Sequence, residues 1–299
     1  MGIDEPGNAE AVVFASLHAP KPLRIPALFK RPGAMCGQSP AVLIAHGSAG
    51  VDSRGPCYSR ALNAAGIATL EIDMWAARGL KGGLDRPKVI QDTLPDVFGA
   101  FKYLAAQPDV DATRIGVMGF SWGGVLSMLS ATKPYVERYL GYGERFAAHA
   151  PLYPVCWIYN HLPGFEFNDF TGAPVFIQCG ADDTYDEPDT GEKLVRSLDA
   201  AAPGLLSITT YPGATHAFDR SEPAITITDP FAHLGKGGEV LFAPNLEAAA
   251  AARAATVGFF KEVFRPRRSV HVKDLSPEAA AIHHQGLSAP LEEGNGSDD

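Results

Sequence analysis

The chain has 299 residues, of which 46% are hydrophobic and 20% are charged, and its formal net charge is −9. Because it is acidic and has no stretch rich in lysine and arginine, nucleic acid is excluded as a partner. No apolar run reaches membrane-spanning length, and Met1–Gly7 lacks the basic and apolar pattern of a secretion signal. We therefore expect a cytoplasmic protein whose residues 1–264 form one domain around a large core.

Short apolar runs alternate with amphipathic segments, which predicts an α/β fold with a mostly parallel sheet and helices on both faces. The strands are predicted at Glu10–Ser16, Leu23–Lys30, Ala41–Ala45, Ile67–Asp73, Ile115–Met118, Phe146–Leu152, Pro174–Gly180 and Leu205–Tyr211. The helices are predicted at Arg54–Ala65, Asp92–Ala106, Ser121–Lys133, Thr190–Ala202 and Leu246–Phe264. Pro20 and Pro22 indicate that the first two strands form an antiparallel hairpin at the sheet edge. Pro134 is expected to end the third helix.

Two long stretches interrupt this alternation, and loops of such length are usually functional or disordered. Tyr153–Gly172 is rich in aromatic residues and is placed to cover a pocket, with Trp157 as a substrate contact. The alternatives for this loop are a plug packed on the sheet or a contact in a homodimer. Ser221–Asn245 is a long insert punctuated by glycine and proline. The extension at 265–299 is predicted to be largely disordered after a short helix at Pro277–His284.

The cysteines and acidic residues give little support for a metal site. Cys36, Cys57, Cys156 and Cys179 lack the spacing of metal ligands, and free thiols are favoured over disulfides in a cytoplasmic protein. The acidic segment 182–189 has no spaced ligand loop of the kind that binds calcium. We therefore expect neither a metal nor a cofactor.

The segment 115–124 reads IGVMGFSWGG, and the candidate chemistry is organised around it. A polar turn at Asp109–Arg114 precedes an apolar strand, then G-x-S-x-G at Gly119–Gly123, then a helix, which is the context of a nucleophile elbow. In such an elbow the serine lies on a strained corner at the sheet edge, and the glycines remove side chains that would clash. Ser121 is the predicted nucleophile. A glycine-rich turn without chemistry is the alternative for this motif alone.

A serine nucleophile needs a base and an acid, which follow it along the chain in the order acid, then histidine. Asp182 and Asp183 follow the strand that ends at Gly180, and His216 follows the strand that ends at Tyr211. Because the carboxyl ends of parallel strands meet at one edge, these side chains should lie near Ser121. An ordinary acidic turn and a loop histidine are the alternatives. The sequence therefore predicts a Ser-His-Asp triad.

The oxyanion of an acyl-transfer reaction needs two hydrogen-bond donors. We expect the backbone amide of Trp122 as one donor and that of Ser48, or of Ala49, as the other, since these follow the third strand. The His46 side chain is predicted to be structural. Other histidines are less suited as the base, because they precede the acidic segment or follow no strand: His149, His161 and His233.

Four motifs together resemble the dienelactone hydrolase family of α/β-hydrolases over about Ala41–Phe264. They are HGSAG at 46–50, GFSWGG at 119–124, GADD at 180–183 and YPGATHAFDR at 211–220, the last being the most specific. The resemblance implies the α/β-hydrolase fold, and its G-x-x-D spacing implies that Asp183 rather than Asp182 is the acid. It also implies that Arg220, which matches in spacing, and Arg78, which matches with one extra residue, bind a substrate carboxylate. Pairing of these arginines with acids such as Asp219 is the alternative.

The chain departs from that family at two positions. The namesake enzymes carry a cysteine nucleophile and a glutamate after the third strand, where this chain has Ser121 and His46-Gly47. Both differences favour hydrolysis of carboxylic esters, with lactones as a further class of small-molecule substrate, through an acyl-enzyme. The alternatives are an amidase or peptidase of the prolyl-oligopeptidase type and a non-catalytic receptor or interaction protein with this fold. The absence of propeller repeats argues against the first, and the complete triad argues against the second.

Overall fold

The structure is a computed structural model that describes residues 9–33 and 37–266. The predictions for Cys36, for the helix at Pro277–His284 and for the end of the chain lie outside these residues. The described residues up to Phe264 belong to one compact unit. The strands are β1 Ala9–Ala15, β2 Arg24–Lys30, β3 Ser39–Ala45, β4 Ala68–Ile72, β5 Val110–Phe120, β6 Ala148–Leu152, β7 Val175–Gly180, β8 Leu206–Tyr211, β9 Ile225–Asp229 and β10 Gly238–Phe242.

The main sheet has eight strands in the order β1-β2-β4-β3-β5-β6-β7-β8. The pairs β1–β2 and β2–β4 are antiparallel, and the remaining pairs are parallel. The predicted hairpin at the edge is therefore confirmed, as is the mostly parallel sheet of an α/β fold. Its central strands are mainly apolar because both faces are covered: β3 and β4 are almost entirely buried.

The helices are α1 Arg54–Ala64, α2 Leu94–Ala105, α3 Trp122–Leu129, α4 Lys133–Tyr139, α5 Thr190–Leu198, the short α6 Ala232–Gly235 and α7 Leu246–Val263. Short 3-10 turns lie at Ala76–Arg78, Ile90–Thr93 and Cys156–Ile158. None of the helices within the described residues is long and apolar enough to cross a membrane. The thiols of Cys57, Cys156 and Cys179 are free.

The prediction that Pro134 ends the elbow helix is wrong. α3 ends at Leu129, and Pro134 lies in the first turn of a separate helix, α4. The first turn tolerates proline because its amides have no partner within the helix. The break comes earlier: the Ser130 and Thr132 hydroxyls donate to the carbonyls of Ser127 and Leu129, at 3.0 and 2.8 Å.

Two other segments differ from the prediction. The polar turn Asp109–Arg114 is largely included in β5 as a bulge: the partner of Ser39 is Val110, but the partner of Ala41 is already Ile115. The insert is not an irregular loop, because β9 and β10 pair as an antiparallel two-stranded sheet with α6 at their connection. In α6, His233 and Leu234 have left-handed backbone conformations.

The buried Glu71 on β4 gives a stability prediction. Burial raises the pKa of its carboxyl group from 4.5 to about 7, and the charge of Lys30 opposes that shift. Because the native pKa exceeds the unfolded one, the native state keeps a proton that the unfolded state releases, and stability falls as the pH rises from 4.5 to about 7. Between about pH 5 and pH 7, the wild type should lose about 2 kcal/mol more than Glu71→Gln. Urea unfolding at both pH values measures this difference, and equal losses would contradict it.

Candidate active site

A strained turn at Ser121 joins β5 to α3. Ser121 has φ 51° and ψ −106°, a conformation that non-glycine residues rarely adopt. Its amide donates to the Leu152 carbonyl at 3.0 Å, which ties the turn to the end of β6. A Cβ atom at Gly119 would overlap the Gly123 carbonyl, and one at Gly123 would overlap the Ala45 carbonyl. Glycine is therefore required on both sides of the serine.

The predicted acid and base are in direct contact. Asp183 Oδ2 accepts a hydrogen bond from His216 Nδ1 at 2.7 Å, and Asp183 Oδ1 accepts from the Tyr185 amide at 3.0 Å. Both side chains are buried, whereas the neighbouring Asp182 is exposed. Because a carboxylate can only accept, Nδ1 carries the proton and Nε2 is the basic nitrogen. That Nε2 is buried and has no hydrogen-bond partner among the described residues.

Three aromatic rings enclose the imidazole. Their centroids lie 4.4, 4.8 and 5.0 Å from that of His216, for Tyr185, Tyr153 and Phe242 respectively. Tyr185 follows β7, Tyr153 follows β6 and Phe242 ends β10, so three separate segments fix the ring plane. This packing restricts rotation of the imidazole and keeps Nε2 in one place.

A buried polar network lies behind the imidazole. The Tyr153 and Tyr58 hydroxyls donate to Asp219 at 2.6 and 2.8 Å. Arg54 donates to the Tyr153 hydroxyl at 3.0 Å and forms an ion pair with Asp52 at 2.6 Å. Burial raises the pKa of the Asp219 carboxyl, and the charge of Arg54 opposes that rise. The network ties the segment after His216 to α1 and to the end of β6.

The turn after β3 lies beside the elbow. The Gly123 amide, in the first turn of α3, donates to the His46 carbonyl at 3.1 Å. Ser48, Ser121 and Trp122 all line one cavity. The residues predicted to supply the two oxyanion donors therefore lie on the same cavity as the predicted nucleophile.

The other histidines have different surroundings. His46 Nε2 accepts from the Met74 amide at 3.0 Å, and Nδ1 bonds the Gly47 carbonyl at 2.8 Å, so both ring nitrogens are engaged. His149 lies within β6 and bonds the Ser127 carbonyl at 2.9 Å. Burial lowers the pKa of His46 to about 4 and that of His149 to about 3, which keeps both rings neutral. Two further histidines bond backbone carbonyl groups: His161 and His233.

Asp186 lies in the acid loop, residues 182–189 after β7, and fastens this loop to the segment after β6. Its carboxylate accepts from the amides of Cys156 and Trp157 at 2.7 and 2.8 Å. Burial, followed by the charge of Asp183, raises the pKa of Asp186 to about 7. Because Val155 in the same segment lines the cavity, Asp186 connects the cavity wall to the loop that carries Asp183.

A cavity of about 510 Å³ lies over the elbow and is lined mainly by apolar side chains. Its wall is built from six parts of the chain: Ser48, Tyr185 and residues 84–91, 121–125, 155–165 and 229–231. Three of the apolar lining residues are also exposed to solvent, at 81%, 48% and 41%: Leu84, Val89 and Phe231. Three charged side chains line it as well: Arg86, Lys88 and Asp229.

Comparison with known proteins shows the family of the chain. A family model described as the dienelactone hydrolase family matches residues 25–264. The chain belongs to the dienelactone hydrolase family. Among curated relatives in sequence, an uncharacterized protein of Mycobacterium tuberculosis is 30% identical over 187 residues, which cover 60% of this chain and 64% of that protein. The chain thus spans less than two thirds of the length of that relative.

Solved structures show the α/β-hydrolase fold of the family. Esterase 2 of Thermogutta terrifontis is 16% identical with a TM-score of 0.61, over 89% of this chain and 98% of that one. A dienelactone hydrolase-like promiscuous phosphotriesterase from metagenomic libraries is 20% identical with a TM-score of 0.57, over 86% and 99%. At these identities the likeness shows the fold alone.

The three residues predicted to bind substrate, two from the family resemblance and Trp157 from the aromatic loop, lie outside the cavity wall. Arg78 donates to the buried Asp96 at 2.6 Å, and Arg220 donates to Glu222 at 3.4 Å. Trp157 donates from its indole to the Phe231 carbonyl at 3.3 Å. None of these three lines the cavity. In this dienelactone hydrolase family member, both arginines are instead engaged with carboxylates of their own chain.

The aromatic loop divides between the cavity and the core. Phe165 lines the cavity, whereas Tyr153, Tyr159 and Phe167 are fully buried. The Tyr159 and Phe167 rings pack at 5.3 Å, and the Phe167 and Phe170 rings at 4.8 Å. The loop therefore forms part of the cavity wall and also packs a hydrophobic plug into the core, and the homodimer contact stays a prediction.

Two cavity residues were missed by sequence reasoning. Arg86 donates to Asp229 at 2.7 Å, and the guanidinium carbon lies 5.8 Å from the centre of the Trp122 ring. Asp229 ends β9, in the insert, and its segment is held to the acid loop by backbone bonds. The His233 amide donates to the Thr184 carbonyl at 2.8 Å, and the Leu234 amide donates to the Tyr185 carbonyl at 3.1 Å. No local motif marks these contacts, because the two partners are 143 positions apart.

Proposed function

We propose that this family member is a serine hydrolase that cleaves carboxylic esters, with Ser121 as nucleophile, His216 as base and Asp183 as the orienting acid. The observation that carries the proposal is the buried His216 Nε2, which has no partner among the described residues while Asp183 holds Nδ1 at 2.7 Å. The strained backbone of Ser121 at the cavity supports it. Membership of a hydrolase family, and the name of the Thermogutta esterase with the same fold, are consistent with it.

In the proposed cycle, His216 removes the proton from Ser121 Oγ as that oxygen attacks the ester carbonyl. The backbone amides of Trp122 and Ser48 donate to the oxyanion of the tetrahedral intermediate. His216 then gives its proton to the leaving alcohol, and the acyl-enzyme forms. A water molecule next loses a proton to His216 and attacks the acyl carbon. The bond from the acyl carbon to Ser121 Oγ then breaks, His216 gives the proton to that oxygen, and the acid is released. Asp183 stays ionised and stabilises the imidazolium.

The cavity favours a substrate with an apolar acyl or alcohol part. A volume of about 510 Å³ with a mainly apolar lining accommodates a small ester and excludes a folded polypeptide. The exposed Leu84 and Phe231 extend this apolar surface toward solvent. We propose simple carboxylic esters as the main substrate class and lactones as the second.

A panel of p-nitrophenyl esters, lactones and p-nitroanilides, varied in acyl length, tests this function. We expect hydrolysis of the esters, weaker hydrolysis of the anilides, and covalent labelling of Ser121 by a fluorophosphonate probe. Mass spectrometry of the labelled peptide identifies the residue. Labelling of another residue, or a folded protein that neither reacts with the probe nor cleaves any ester, would overturn the proposal.

A further inference from the structure

The charged side chains of the cavity differ in their surroundings. Asp229 is 1% exposed, and the side chain of its partner Arg86 is 13% exposed. Lys88 also lines the cavity but is exposed. Solvent and salt screen an exposed charge far more than a buried one. The charges of Arg86 and Asp229 are therefore screened less than that of Lys88.

The carboxylate of Asp229 is held in place from two directions. Oδ2 accepts from Arg86 Nη2 at 2.7 Å, and Oδ1 accepts from the Phe231 amide at 2.9 Å. Burial, and then the nearby Asp229 carboxylate, raise the pKa of the Tyr185 hydroxyl. Tyr185 in turn packs on the imidazole of His216. Asp229 is thus a fixed charge within the cavity wall. It contacts the Arg86 guanidinium and lies near Tyr185, whose ring packs on His216.

We infer that Asp229 is a specificity-determining residue that neutralises Arg86, so that the cavity accepts neutral esters and rejects acyl groups that carry a free carboxylate. This inference rests on the proposed esterase function. Arg78 and Arg220 cannot supply a counter-charge in the cavity, because neither lines it and each is engaged with another carboxylate. A substrate carboxylate beside Arg86 would have to compete with Asp229 and would be repelled by it. The net charge of −9 opposes anionic substrates as well.

Two esters with the same acyl chain measure the effect. One is the mono-p-nitrophenyl ester of adipic acid, with a free carboxylate, and the other is its methyl-capped form, which is neutral. The quantity compared is the ratio of kcat/KM for the anionic ester to that for the neutral ester, at fixed ionic strength. For the wild type we expect a ratio below one.

Two single variants should move this ratio in opposite directions. Asp229→Asn leaves Arg86 without its counter-charge, so the ratio should rise by about tenfold or more, the size of one charge-assisted hydrogen bond. Arg86→Gln removes the positive partner of Asp229, so the remaining negative charge should repel the anionic ester and the ratio should fall. The double variant Arg86→Gln/Asp229→Asn has no net charge at this site, and its ratio should return toward that of the wild type.

Asp189→Asn is the matched control, because it removes one negative charge from an exposed pair with Lys193 outside the cavity. Its ratio should equal that of the wild type. Thermal unfolding verifies that each variant is folded. If one single variant does not fold, because it leaves one charge of the pair without its partner, the other single variant and the double variant still decide the question.

Three results would overturn the inference: a wild-type preference for the anionic ester, an unchanged ratio in the folded variants, or a shift of both single variants in the same direction. A fall of the ratio in Arg220→Ala would also overturn it, because the carboxylate would then bind where the family resemblance places it. These outcomes are distinct from failure of the esterase function, in which the wild type cleaves neither ester.

Discussion

Replacing Ser121 by alanine is expected to abolish ester hydrolysis and to leave the fold intact. The variant loses the oxygen that forms the acyl-enzyme, so kcat/KM should fall by about 10⁴-fold or more. Serine and alanine differ by one hydroxyl group, and the backbone bond from position 121 to the Leu152 carbonyl does not depend on it. The measurement is the rate of p-nitrophenolate release, together with thermal unfolding of both proteins.

A matched variant makes this result interpretable. Ser127→Ala removes a buried hydroxyl from the same helix, α3, where it donates to the Val117 carbonyl at 3.3 Å. This variant should keep its activity, since Ser127 does not line the cavity. If Ser121→Ala retained more than a small part of the wild-type activity, Ser121 would not be the nucleophile.

The second large effect is expected at Asp183. Asp183→Asn replaces the carboxylate that accepts from His216 Nδ1 with an amide, which can place a hydrogen-bond donor there and favour the wrong tautomer. Turnover should then fall by about 10³- to 10⁴-fold. Steady-state kinetics with one p-nitrophenyl ester gives kcat directly. An effect of only a few-fold would contradict the role of Asp183.

Asp182→Asn is the natural control, because this neighbour carries the same side chain but is exposed. Its amide donates to the Ala214 carbonyl at 2.9 Å, a backbone bond that the substitution keeps. We expect a mild loss of activity from altered loop order. The reverse ranking of the two variants would assign the acid to position 182.

Most of the main sheet was predictable because its strands are buried on both faces. A strand such as β3 reads as one apolar run between turn residues, and no amphipathic helix has that pattern. The predictions of secondary structure failed where tertiary contacts determine the bounds of an element. Pro134 is compatible with both a helix end and a helix start, and the earlier break depends on the hydroxyls of Ser130 and Thr132. The strand β9, which reads ITITD, did carry an alternating signal, but the surrounding glycines and prolines obscured it.

The residues of the proposed triad could be selected from the sequence because each one follows a recognisable strand, and the structure brings Asp183 and His216 into contact. Ser121, Asp183 and His216 lie in the turns that follow β5, β7 and β8, and parallel strands bring their carboxyl ends together. No comparable sequence pattern marks the charged residues of the cavity wall. Arg86 lies in an irregular segment and Asp229 in the insert, so only the folded chain shows that they pair.

The insert is attached to the acid loop through main-chain atoms, at the amides of His233 and Leu234. Bonds between backbone groups do not depend on which side chains the residues carry. Substitutions at Pro230 and Phe231, which follow β9 and line the cavity, can therefore reshape the cavity wall without releasing the loop that holds Asp183. For laboratory evolution, randomising Pro230 and Phe231 offers a route to new substrate preferences at low risk to the proposed catalytic residues.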